Sequence, residues 1–338
     1  MEATSEIRER EAPVPGTDIA VRDSADEAMC ARARDRYAAD RKRMGRVPRR
    51  RRRHAALPNL IIIGGLKCGT TSIHHYLGLH PEIQMSKPKE LNFFVRELNW
   101  DLGLPWYRGR FDSRFAVRGE SSPHYTNLPR YTGVPARIHD TIPEAKLIYM
   151  VRDPISRILS HWRHSTGAGY ETRPMAEVLT RGDQTYVTRS MYWMQLQPYL
   201  ELFGREQIQV FAQEELHADR EGTMRRAFEF AGVDPSFTSE QFDREWERST
   251  AKESDKYQLM EKLIKLPGFR AFDRNFDRLP ERMRWMVEKV VHDPDAPEAP
   301  KPELTPEIEE RLLGVFGEDS RRIQEFAGRE FPNWRTYS

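Results

Sequence analysis

Residues Leu60 to Leu77 read LIIIGGLKCGTTSIHHYL. The run Leu60–Ile63 is continuously apolar and β-branched, the pattern of a strand buried on both faces. It ends at Gly64 and Gly65. Lys67 and Gly69 follow, then the hydroxyls of Thr70, Thr71 and Ser72 open a helical pattern over Thr71–Leu79, stopped by His80-Pro81. A strand, a glycine turn and a hydroxyl-rich helix start make an anion site: backbone N–H groups and the helix dipole point at the anion, and Lys67 adds a full charge. A turn with no ligand would need the glycines but not the lysine and hydroxyls. The triphosphate loop G-x-x-x-x-G-K-[ST] is not matched, because Lys67 precedes Gly69 instead of following it. Asp153 is the one candidate for holding Mg²⁺ behind such a loop, and its neighbour Arg152 suggests another task. The loop therefore grips phosphate without the Mg²⁺-triphosphate equipment.

Working outward, Ala145–Val151 (AKLIYMV) and Gln207–Phe211 (QIQVF) read as further buried strands. Helices are predicted over Ile155–His164, Met191–Phe203 and near Gly222–Ala231. Buried strands alternating with helices argue for an α/β fold, a P-loop-like parallel sheet covered by helices on both faces. Ligands in such folds sit at the C-terminal ends of the strands. From Glu240 onward no strand is evident and the chain reads as helical. Helices are expected over Pro280–Val291 and Thr305–Ala327, the second opened by Thr305-Pro306-Glu307. The proline-rich DPDAPEAPKPEL joins them. Residues 1–56, rich in Arg, Glu, Asp and Ala, read as a disordered or partly helical basic tail ahead of one domain over 57–338. The run Arg49–Arg53 fits a solvated linker or a contact to an anionic surface.

Basic and acidic residues number 54 and 52, for a net charge of +2. The chain as a whole is thus no basic nucleic-acid binder. Only eleven of the basic residues are lysines, and three of those are Lys67, Lys87 and Lys89. An Arg-rich, Lys-poor chain points to a bacterial source with a GC-rich genome. Cys30 and Cys68 lack metal-ligand spacing and fit a reducing compartment. No apolar run approaches the ~18 residues of a membrane-spanning helix. The charged N-terminus lacks an apolar signal core, so the expectation is a cytoplasmic protein without stable membrane insertion.

A second motif, VRDPISRILSHW, spans Val151–Trp162. Arg152 ends a strand, and Ser160 comes eight residues later on the next helix. An arginine and a serine so placed can converge on one phosphate, or each can serve locally, Arg152 paired with Asp153. In combination the two motifs resemble the sulfotransferases that use 3′-phosphoadenosine-5′-phosphosulfate (PAPS). The likeness is clearest from Leu57 to Val233. It implies that Lys67, Gly69, Thr70, Thr71 and Ser72 hold the 5′-phosphosulfate, and that Arg152 and Ser160 hold the 3′-phosphate. PAPS would be the co-substrate, its product would be 3′-phosphoadenosine-5′-phosphate (PAP), and no metal would be required.

KPKELNFF, Lys87–Phe94, resembles the Glu-x-x-Phe-Phe of the heparan-sulfate-type members, which implies Glu90 as the catalytic base. The alternative is a Glu90 that only pairs with Lys87 or Lys89. GESSPHY, Gly119–Tyr125, resembles the family's acceptor-lining stretch, but Ser121 stands where several carbohydrate enzymes carry lysine. That departure puts a heparan-like substrate in doubt. His124 is a second-choice base or an acceptor contact. RSTAKESDKYQ, Arg248–Gln258, is the candidate for the late basic loop over the donor, through Lys252 or Lys256. The aromatics Phe93, Phe94, Trp100, Trp106 and Tyr107 read mainly as core. The implied acceptor is a hydroxyl of a sugar, glycolipid or small secondary metabolite. A P-loop kinase and a non-catalytic nucleotide-binding module are the rival classes.

Overall fold

The computed structural model describes residues 54–167, 171–180, 184–243 and 302–335. Its centre is a five-stranded sheet in the order β2-β3-β1-β4-β5. The strands are β1 (Leu60–Gly64), β2 (Ile83–Met85), β3 (Val117–Ser121), β4 (Lys146–Val151) and β5 (Ile208–Ala212). Every pairing is parallel, with Leu60 facing Gly119 on one side and Lys146 on the other. The described helices are α1 (Thr70–Leu77), α2 (Leu104–Arg108), α3 (Val134–Thr141), α4 (Pro154–Gly167), α5 (Met175–Thr180), α6 (Gln184–Thr188), α7 (Tyr192–Leu200), α8 (Gln213–Ala218), α9 (Arg220–Ala231) and α10 (Pro306–Ala327). None of them is long and apolar enough to cross a membrane.

The predicted α/β architecture is present. β1 is buried along its whole length, as its unbroken apolar run requires. Ile61, Ile62 and Ile63 are each fully buried, worth about 1.5–3 kcal/mol apiece in area removed from water. The predicted strands and helices lie within a few residues of β1, β4, β5, α1, α4, α7, α9 and α10. Thr305 caps α10 by accepting from the Ile308 N–H at 3.4 Å, with Pro306 in the first turn. The predicted helix over Pro280–Val291, the loop holding Lys252 and Lys256, and nearly all of the N-terminal tail lie outside the described residues.

β2 and β3 are additions to the sequence reading. β2 has only three residues. β3, VRGES, reads as polar, yet both its charged side chains are satisfied in place. Arg118 donates to the carbonyls of Leu57 and Phe115, and Glu120 is held by hydroxyls. Strand order locates the site. The chain leaves β1 toward β2 on one side, and leaves β4 toward β5 on the other. The chain therefore turns opposite ways after β1 and β4, and the C-terminal edge of the sheet at this switch point is where a ligand site is expected.

Candidate active site

The loop after β1 is tied to β4 at its start, where the Gly65 N–H donates to the Met150 carbonyl at 2.6 Å. Lys67 and Gly69 both adopt left-handed backbone, with φ of 65° and 82°. At Gly69 this is easily met, and a Cβ there would also lie 3.3 Å from Gln213. Gly69 is the N-cap of α1 and has no side chain with which to cap it, and no acid lies in the first turn. Its first N–H groups, with the hydroxyls of Thr70, Thr71 and Ser72 beside them, form an anion-seeking end.

The loop after β4 meets this one. Arg152 Nη1 lies 3.5 Å from the Lys67 carbonyl oxygen. Beneath both sits Tyr192, at the start of α7 and fully buried. Its hydroxyl accepts from the Arg152 N–H at 3.3 Å and lies 3.5 Å from Cys68 Sγ. Burial pushes the Cys68 thiol up to about 11, despite the hydrogen bond from Tyr192 and the nearby Arg157 and Arg152. It stays protonated as part of the loop's floor. In the sequence Tyr192 is only one residue of the predicted helix Met191–Phe203; its loop contact joins it to Cys68, 124 positions away.

Asp153 does the other task that Arg152 suggested. Its carboxylate accepts from the Ser156 N–H at 2.8 Å, at the start of α4, and from the Arg335 N–H at 3.1 Å. It also pairs with the Arg335 guanidinium. Trp334 donates to Glu214 at 3.2 Å and packs on Tyr192. The C-terminal segment thus braces the Arg152 loop from below. Ser160 lies half-buried on α4. One turn before it, Arg157 is fully buried and donates to Ser190 Oγ and the Tyr186 carbonyl, both at 2.5 Å.

Glu90 sits on the β3 side of this edge. Its φ is 64°, and its N–H donates to the Ser121 carbonyl at 3.0 Å. Lys89 Nζ is 2.7 Å from Glu90 Oε1, so the pairing weighed in the sequence is made. Asn92 is left-handed as well, with φ of 47°. Its N–H donates to Ser122 Oγ at 2.9 Å, and its side chain donates to the Glu90 carbonyl at 3.2 Å. Phe93 and Phe94 are fully buried, Phe93 stacked on Tyr107 at 4.3 Å. Trp100 and Trp106 complete this cluster, so these aromatics serve as core.

His124 follows β3 on a single 3₁₀ turn, Pro123–Tyr125. Arg189, buried and unflagged by the sequence, lies with Nη2 2.8 Å from His124 Nδ1 and donates through Nε to Asn127 at 2.6 Å. An arginine can only donate, so the imidazole accepts at Nδ1 and carries its proton on Nε2. Burial first, then the charge of Arg189, push His124 down to about 3. The ring is neutral at physiological pH. His74, on α1, is packed and pushed down to about 3 by burial and then Lys89. Glu90 acts electrostatically on both histidines, and Lys67 and Arg189 both act on His161. Through these histidines the charges of Lys67, Arg189 and Glu90 are electrostatically linked. Among the described residues no group of three or more His, Cys, Asp or Glu is arranged to hold a metal ion.

Comparison with known proteins agrees with this geometry. The curated relatives include the membrane-associated sulfotransferase kil1 of Dictyostelium discoideum, 36% identical over 114 residues, 32% of this chain and 23% of that protein. Heparan sulfate glucosamine 3-O-sulfotransferase 3B1 of Mus musculus is 29% identical over 197 residues, 55% of this chain and 49% of that protein. The matches thus span about a quarter to a half of those relatives' lengths. Among solved structures, a sulfotransferase from Alicyclobacillus acidocaldarius superposes with a TM-score of 0.58 at 23% identity, covering 83% of this chain and 99% of that one, and shares the fold. The family model described as the sulfotransferase domain matches residues 57–319, which include both anion loops and the Glu90 turn, and with that match the chain belongs to the sulfotransferase family.

Proposed function

We propose that the protein moves a sulfuryl group from PAPS to an acceptor hydroxyl, with Glu90 as general base. The observation that carries this reading is the meeting of two anion-seeking loops at the ends of adjacent strands, with Arg152 Nη1 3.5 Å from the Lys67 carbonyl. A donor with anionic groups at two separated positions suits such a pair. Cations, hydroxyls and helix-start N–H groups make up the donor set, and no carboxylate intrudes in the first turn of α1. Lys67, Gly69, Thr70, Thr71 and Ser72 hold the 5′-phosphosulfate in this reading. Arg152 and Ser160 hold the 3′-phosphate. Lys252 remains the candidate for the late basic loop.

The acceptor oxygen attacks sulfur as the bond from sulfur to the 5′-phosphate oxygen breaks, in line. Lys67 and the α1 N-terminus stabilise the charge that gathers on the departing phosphate, and PAP leaves. Glu90 takes the acceptor's proton, its carboxylate directed by Lys89 at 2.7 Å. His124, protonated on Nε2, suits a hydrogen-bond donor to acceptor or sulfuryl oxygen better than a base. The acceptor class we propose is an alcohol on a sugar, a glycolipid or a small secondary metabolite. Asp153 argues against the kinase reading, because its carboxylate is committed to Ser156 and Arg335.

The test is calorimetric titration with PAP, against ATP plus Mg²⁺, followed by a screen of acceptors with labelled PAPS. Tight PAP binding with no Mg-ATP binding supports the reading. Preference for Mg-ATP overturns it in favour of a kinase, and PAP binding with no transfer to any acceptor or to water favours a binding module.

A further inference from the structure

Glu120, the fourth residue of β3, is fully buried. It has no cationic partner among the described residues. Three hydroxyls meet it instead: Tyr107 and Tyr125 donate to Oε1 at 2.5 and 2.8 Å, and Ser122 donates to Oε2 at 2.6 Å. A carboxylate buried without a cation is a costly choice for a strand, so its consequences within the site matter.

Two of these hydroxyls have a second neighbour. Ser122 Oγ accepts from the Asn92 N–H at 2.9 Å, and the Tyr125 hydroxyl accepts from the Phe94 N–H at 3.4 Å. A hydroxyl has one proton to give and lone pairs to receive with. By accepting, Glu120 decides where both protons go, and so turns both oxygens' lone pairs toward the Glu90 turn. The chain of bonds then runs one way, from backbone N–H to hydroxyl to carboxylate, and each bond polarises the next. The turn it holds contains two left-handed residues that are not glycine, Glu90 and Asn92. Such backbone persists only where its surroundings over-determine it.

We infer that Glu120 is a positioning residue for Glu90: through Ser122 and Tyr125 its buried carboxylate fixes the backbone N–H groups of the turn that aims the base into the proposed site. The inference rests on the proposal that Glu90 is the base. It assigns Glu120 no contact with substrate.

The experiment compares the full chain with Glu120→Gln, Glu90→Gln and the double variant. Three quantities are read: amide hydrogen exchange by mass spectrometry, PAP affinity by calorimetry, and PAP release from PAPS with water as the acceptor. In Glu120→Gln, exchange over residues 90–95 rises tenfold or more. Exchange over 66–77 and 147–160 stays at the wild-type rate, and PAP affinity stays within twofold. PAP release falls tenfold or more, and adding Glu120→Gln to Glu90→Gln causes no further loss. Unchanged exchange over 90–95, equal acceleration in the donor-loop peptides, or an undiminished extra loss in the double variant would each overturn the inference. Should Glu120→Gln fail to fold, Ser122→Ala removes the acceptor for the Asn92 N–H and is expected to give the same local acceleration; its absence is equally fatal. Normal PAP release by Glu90→Gln sinks the base assignment instead, and the exchange data then still judge whether Glu120 holds the turn.

Discussion

The two sides of the proposed site are built by different means. The proposed donor side, the loops after β1 and β4, is made mostly by residues adjacent in sequence: glycines beside a left-handed Lys67, hydroxyls at a helix start, an arginine at a strand end. The proposed base side is made by groups from elsewhere in the chain that hold a turn its own residues do not favour. Glu90 and Asn92 are both left-handed, and the Ser121 carbonyl, Ser122 Oγ and Tyr125 hydroxyl accept from the N–H groups of Glu90, Asn92 and Phe94. A donor loop of this kind can be recognised by its composition. A base turn of this kind depends on a network, and should fail locally when the network is cut.

Substitutions can separate the sides. Lys67→Ala is expected to have the largest effect, lowering turnover by ~10²–10³-fold as loss of a transition-state charge contact does, with weaker PAP binding in calorimetry. Glu90→Gln should lower turnover by ~10²-fold or more while leaving PAP affinity nearly intact; a parallel loss of PAP affinity would mean that the two sides are not separable. Arg152→Ala should weaken PAP binding by roughly 10–100-fold, the range for a charged hydrogen bond, with little loss of turnover at saturating PAPS.

Smaller effects test the supports beneath the donor side. Arg335→Ala releases Asp153 and should weaken PAP binding by about 3–10-fold, as loss of one indirect support does; a tenfold loss of turnover with unchanged PAP binding would contradict this placement. Asp319, on α10, accepts from the N–H groups of Trp193 and Met194 at 3.1 and 2.9 Å, at the start of the helix that carries Tyr192. Burial raises Asp319 from 3.8 to about 6, against the backbone hydrogen bonds. The folded chain therefore keeps a proton that the unfolded chain has lost across that window, and this group's contribution makes stability fall as pH rises through it. Asp319→Asn, which keeps one of the two accepting oxygens, should flatten that slope in thermal unfolding followed from pH 4 to 6.5. A slope identical to wild type would show that Asp319 titrates normally.

What was legible follows the same division. Leu60–Ile63 announces β1 because a strand covered on both faces has no polar side to show. Lys67 through Ser72 point to the proposed anion site because glycine, lysine and hydroxyl chemistry act over a few residues. β3 escaped notice because VRGES carries two charges, and only the fold supplies the carbonyls and hydroxyls that allow them inside. Arg189 reads as one arginine among many until the fold sets it 2.8 Å from His124, 65 positions away.

From the sequence alone came the parallel α/β plan, the anion loop, its departure from a triphosphate loop, and the resemblance that named Glu90, Arg152 and Ser160. All of these rest on local backbone preference, on apolar runs or on short motifs. The tertiary structure alone decided that Tyr192 floors both loops, that Arg335 braces Asp153 across 182 positions, that His124 carries its proton on Nε2, and that the hydroxyls of Tyr107, Ser122 and Tyr125 meet Glu120. Each of these depends on which partner satisfies a buried polar group, and that partner is chosen by packing rather than by sequence distance.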